Sequence, residues 1–147
     1  MSESTWIRIG LGYLALVSLQ IGLWAQFAPQ SFYDDFPGLG RTWVSVDGPY
    51  NEPLVRDIGG LYLALALLVI GALVTLSRPL VITASAAVLV SGVPHLVYHL
   101  VRRDGLSTGD LAASLSGLVA FAAIPVALLY VELRRPRPAD ATVPAGA

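Results

Sequence analysis

Tyr50-Asn51-Glu52-Pro53-Leu54-Val55-Arg56-Asp57-Ile58-Gly59-Gly60 runs from three charged side chains straight into an uncharged apolar stretch that continues to Ser77. Asn51 is a good N-cap and Pro53 suits a first helical turn, so a helix is expected to start here. The 20 uncharged residues 58–77 match the ~20 that an α-helix needs to cross a hydrocarbon core about 30 Å thick. Charges at the mouth of such a helix are costly unless they are paired or used.

Three further uncharged runs flank this one: 9–28, 79–101 and 111–131. In each of them apolar residues go all the way round, as they do where lipid replaces water. Only 13% of the chain is charged, against about 25% in a soluble domain, so too few charges remain to coat a water-facing surface. The expected fold is therefore all-α, an integral membrane four-helix antiparallel bundle with a long structured first loop. Its spans run over about 7-28, 54-77, 79-101 and 108-132 within one domain, 1-133, and the Pro-, Ala- and charge-rich residues 134-147 form a disordered tail. The first run exceeds the apolar core of a secretory signal, and Ala25-Gln26-Phe27-Ala28 lacks a small-x-small cleavage pattern, so it is expected to stay as an anchor. Net charge of −1 offers no basic field for nucleic acid. The chain has no cysteine, which removes disulfides, thiolate metal sites and thiol redox chemistry.

Four spans put both termini on one side, with Arg8, Arg78, Arg134, Arg135 and Arg137. The other side carries Arg41, Arg56, Arg102 and Arg103 against seven acids. The positive-inside rule counts the basic residues and tilts toward cytoplasmic termini of a multi-pass cell-membrane protein. Residues 29–53 form the longest connection, above the ~12–15 residues beyond which loops are usually functional or disordered. Phe32, Tyr33, Phe36, Trp43 and Tyr50 argue against disorder. Two readings stand: an aromatic-anchored interfacial loop, or a lid over the mouth of the bundle.

Helix two starts, helix three ends and helix four starts on the same side. Glu52, Arg56, Asp57, His95, Tyr98, His99 and Asp110 therefore converge on one polar pocket at one membrane face. Glu52 and Arg56 are spaced i, i+4 and can neutralise each other. Ser107-Thr108-Gly109-Asp110 reads as a capping box. Asp57 is expected to be buried against Arg41, Arg56 or a histidine. His95 and His99, also i, i+4, can address one point, as in HExxH zinc sites, but Leu96 stands where that motif needs its glutamate. With Asp57 the pair forms a candidate site for zinc, manganese or iron. Two histidines on one helical turn cannot ligate haem from opposite faces, which argues against haem. Pro94 is expected to kink helix three and to free the carbonyl of Val90. Gly59, Gly60, Ser91 and Gly92 are expected to narrow the bundle, so that any ligand there would be small. Gln20, mid-helix, is expected to hydrogen-bond between helices.

Phe32-Tyr33-Asp34-Asp35-Phe36-Pro37-Gly38, Tyr50-Asn51-Glu52, Arg56-Asp57-Ile58-Gly59-Gly60-Leu61-Tyr62-Leu63-Ala64 and the His95/His99 pair resemble a group of small actinobacterial membrane proteins. The arginine followed by Gly-Gly is similar to the broader DoxX-like set of four-helix proteins. In the pattern of that group a histidine follows Asn-Glu; here Pro53 stands there and removes one ligand. The resemblance implies membrane-associated redox or accessory roles. Three function classes follow from the sequence. The first is a non-catalytic accessory or assembly component that meets lipid and a membrane protein partner. The second is a membrane-embedded redox protein that binds a metal or a quinone-like small molecule at His95/His99 with Asp57. The third is a small transporter, ranked last because every acid lies near a membrane edge. Of the three, only the second would make the chain an enzyme.

Overall fold

The computed structural model describes residues 3–103 and 105–136. Four long helices make the bundle: α1 (Glu3–Phe27), α3 (Glu52–Thr75), α4 (Arg78–Val101) and α5 (Thr108–Arg134). Each is long and apolar enough to cross a membrane. A short helix α2 (Pro29–Asp35), a two-residue antiparallel hairpin, β1 (Pro37–Gly38) with β2 (Arg41–Thr42), and a 3₁₀ turn (Ser45–Asp47) build the first loop.

Helix ends follow from local chemistry. The Asn51 side chain accepts from the Leu54 N–H at 3.2 Å, and the Ser107 hydroxyl accepts from the Asp110 N–H at 3.1 Å, so each side-chain cap satisfies an orphan donor. Only Leu76 and Ser77 separate α3 from α4. Leu76 takes a left-handed conformation and returns its N–H to Ala72 O at 2.8 Å, which ends α3 and reverses the chain. Both α4 and α5 continue through their internal prolines, Pro94 and Pro125. Arg134 closes α5, and of the expected tail, 137–147 lies outside the described residues.

The bundle consists of two tight antiparallel pairs. In the first, α1 and α3 meet backbone to backbone: a Cβ on Gly59 would stand 2.5 Å from Gln26 N, and one on Gly22 would stand 2.9 Å from Leu63 N. In the second, a Cβ on Gly92 of α4 would stand 3.1 Å from the Phe121 ring of α5. Near the chain termini the two pairs share a filled core of Ile7, Leu11, Leu14, Val69, Val81, Val88 and Leu128. Toward the loop end that shared core stops, and a separate cluster takes over, in which Ala25, Phe32 and Val55 are packed by Trp24, Phe36 and Val44.

The outward faces are apolar. Leu16, Leu61, Leu67, Val74, Val90 and Val126 are all more than half exposed, a surface that fits lipid rather than water. Four such helices fit an integral membrane protein. Gln20 also faces outward and makes no hydrogen bond among the described residues, so the expected interhelical bond is replaced by an exposed amide. At the terminus end, Arg135 pairs with Glu3 at 2.7 Å and with Glu132 at 2.8 Å. Glu132 is fully buried, and its second carboxylate oxygen has no partner among the described residues.

Candidate functional site

Where the two helix pairs part, they enclose a cavity of about 580 Å³. Its volume lies within the ~300–1,000 Å³ usual for small-molecule sites. Tyr13, Tyr62 and Phe121 line the inner end, with the Tyr62 and Phe121 rings 6.3 Å apart. Val17, Ile21, Leu54, Val55, Ile58 and Leu118 form apolar walls. Polar groups are few: Asp47, Asn51, Ser91, His95, His99 and Ser114. Ser91 lies ten residues before the end of α4. At 1.5 Å per residue the cavity therefore reaches about 15 Å inward, half of a hydrocarbon core.

The first loop covers the mouth, which favours the lid over a merely interfacial loop. Tyr33, Phe36, Trp43, Val44, Asp47, Gly48 and Pro49 all contribute to the lining. An aromatic chain holds the loop in shape: Trp24, Phe32, Phe36 and Trp43 follow one another with ring centroids 4.9–6.2 Å apart. The Tyr33 hydroxyl donates to Gly48 O, and the Tyr33 and Tyr50 rings lie 5.3 Å apart. Tyr50 sits outside the spans, and its phenol is raised above the usual range by partial desolvation and by the neighbouring Glu52 carboxylate. Two polar contacts pin the lid to α5. Asp110 accepts from the Arg41 guanidinium and, at 3.0 Å, from the Trp43 indole. Gly105 of the α4–α5 connection also packs against Val46.

The residues singled out in the sequence divide into three groups. His95 and His99 line the cavity, with their rings 4.7 Å apart and nearly perpendicular. Tyr98, on the same turn, stacks edge-on with His99 at 5.1 Å and reaches Asp47 only by a long 3.5 Å contact. Glu52, Arg56 and Asp110 serve the frame instead. Arg56 bonds Glu52 at 2.8 Å and donates to Gln26 O at 2.6 Å, satisfying a carbonyl in the last turn of α1. Asp110 combines the helix cap with the lid contact.

Asp57 is a correction: it is exposed, with no ion pair or hydrogen bond among the described residues. Its helix packs through Val55 and Gly59, and Asp57 is about 200° round the axis from each, on the opposite face. The expected ligand trio His95, His99 and Asp57 is therefore not assembled. Among the described residues no group of three His, Cys, Asp or Glu side chains is placed to hold a metal ion. The acid that shares the cavity lining with the histidines is Asp47. The expected narrowing by glycines also fails. Gly59 is consumed by contact with α1 and Gly92 by contact with Phe121, so both draw helices together within a pair and leave the space between pairs open. The Val90 carbonyl expected to be freed by Pro94 is not among the groups that build the site.

No family model matches this chain, and no curated protein and no solved structure matches it.

Proposed function

We propose that the chain is a non-catalytic accessory protein of the cell membrane, with both termini in the cytoplasm, that holds a small amphipathic guest between its two helix pairs. The observation that supports this is the cavity itself: apolar walls, a few polar groups at one end, and a lid tied down by Arg41 and Trp43. A guest with an apolar body would bury it among Val17, Ile21, Ile58 and Leu118 and turn its polar end to Asn51, His95 and His99. The accessory reading is supported by the make-up of the lining, in which apolar residues far outnumber the polar groups Asp47, Asn51, Ser91, His95, His99 and Ser114. The likeness to DoxX-like proteins is in keeping with such a role. The redox alternative is carried in its small-molecule form, since among the described residues no group of three His, Cys, Asp or Glu side chains is placed to hold a metal ion.

The test uses the neutral fluorophore 1-aminoanthracene and the full chain in lipid nanodiscs, with empty nanodiscs as the blank. Emission should rise saturably with the protein present. A Cβ on Gly117 meets nothing within 4 Å, so Gly117→Phe fills the cavity with little strain on the helices. It should weaken binding by about tenfold or more. If the helical spectrum is retained and binding is unchanged, the guest does not sit in this cavity.

A further inference from the structure

We infer that the preferred guest is a lipophilic monocation, an ammonium or phosphonium with an apolar or aromatic body, held with its charge toward Asp47. The inference rests on the proposed cavity binding and adds the sign of the charge.

The lining decides it. Seven aromatic side chains face this space: Tyr13, Phe32, Tyr33, Phe36, Trp43, Tyr62 and Phe121. Ring faces are negative and attract cations, more strongly where water is excluded. No arginine lines the cavity, and the chain has no lysine. The two loop-side arginines closest in sequence to the lining are committed elsewhere, Arg41 to Asp110 and Arg56 to Glu52 and Gln26 O. Among the described residues Asp47 has no ion pair, its one side-chain hydrogen bond is the long one from Tyr98, and it shares the cavity lining with the imidazoles of His95 and His99. It is thus a carboxylate at a cavity mouth with no arginine or lysine beside it in the lining. His95 and His99, when neutral, each offer a ring nitrogen as an acceptor to an N–H-bearing guest.

The wider field has the same sign. In sequence, the loop side holds four arginines against seven acids, a formal excess of three negative charges. Such a surface raises the local concentration of cations and repels anions. An anionic guest would meet Asp47 in a lining without arginine; a neutral guest would gain only from burial.

The full chain in nanodiscs of uncharged lipid should be titrated with tetraphenylphosphonium and tetraphenylborate, which match in size and differ in sign. Triphenylphosphine oxide serves as the neutral probe, and binding to empty nanodiscs is subtracted throughout. The phosphonium should bind about tenfold more tightly than the borate. Asp47→Asn should remove most of that preference, with Asp47→Ser as a second variant should the first fold poorly; a phosphonium preference that survives in both variants overturns the role of Asp47. Gly117→Phe should weaken all three probes. If borate or the neutral probe binds as well as phosphonium and Gly117→Phe still removes both, the cavity binds guests without regard to charge, and the cation inference fails while the guest reading stands. If phosphonium binding survives Gly117→Phe, it reports the acidic surface and the inference fails. If no probe, including 1-aminoanthracene, binds above the blank, the guest reading fails with it.

Discussion

Asp57 and Arg135 show how one residue's position round a helix outweighs its place along the sequence. Asp57 stands at the edge of an apolar run, which made burial the natural expectation, yet the 100° per residue of a helix turns it away from the packed face. Asp57→Ala should therefore change thermal stability in detergent by no more than about 0.5 kcal/mol. Arg135 was counted in the sequence only toward the charge of one membrane side, and it fell within the expected disordered tail. It is nonetheless the partner of Glu132, which is fully buried. Arg135→Ala leaves that carboxylate desolvated with no cation and should cost about 1–3 kcal/mol, whereas Glu3→Ala, which removes only the exposed partner, should cost less than about 1 kcal/mol. Thermal melts of the three variants, with Asp57→Ala as reference, check the order; equal melting temperatures would mean that Glu132 is solvated. Asp47 is the residue that sequence reasoning missed at the site. Its only signal was membership of the Asp47-Gly48-Pro49 turn in a loop already read as a candidate lid.

At the level of elements, the four long helices were legible because nothing in water tolerates four uncharged runs of this length. Their caps were legible too, since Asn51 and Ser107 act through the next turn of backbone. The shape of the first loop was not, because it depends on rings that meet only after the chain has folded, such as Phe36 with Trp43. Nor was the use of the glycines. Gly59 was expected to narrow the bundle around a ligand, whereas it is a backbone-to-backbone contact within the first pair, and Gly117 borders empty space. Gly59→Ala must push α1 and α3 apart and should cost about 1–3 kcal/mol, the usual range for overpacking. Gly117→Ala should cause no loss of stability, since alanine also favours the helix. Denaturation followed by loss of helical signal distinguishes them, and a Gly59→Ala protein as stable as wild type would contradict the close approach at Gln26.

Among the described residues, the up-down-up-down course places the first loop and the α4–α5 connection at one end and the α3–α4 turn, the start of α1 and the end of α5 at the other. A chain without cysteine is a clean background for single-cysteine labelling. Leu39→Cys and Arg103→Cys should react with an impermeant maleimide added outside intact cells, and Ser77→Cys and Pro136→Cys only after permeabilisation. Reaction of all four from outside would contradict the proposed orientation or the spans. The two tight pairs are also consecutive along the chain, α1 with α3 and α4 with α5, joined by the two-residue turn at Leu76 and Ser77. During synthesis the first hairpin can close its glycine contacts before the second has left the ribosome, with each helix finding its partner next in line. The cavity belongs to neither hairpin and comes into being only when they dock, so biogenesis ends on the same surfaces that line it.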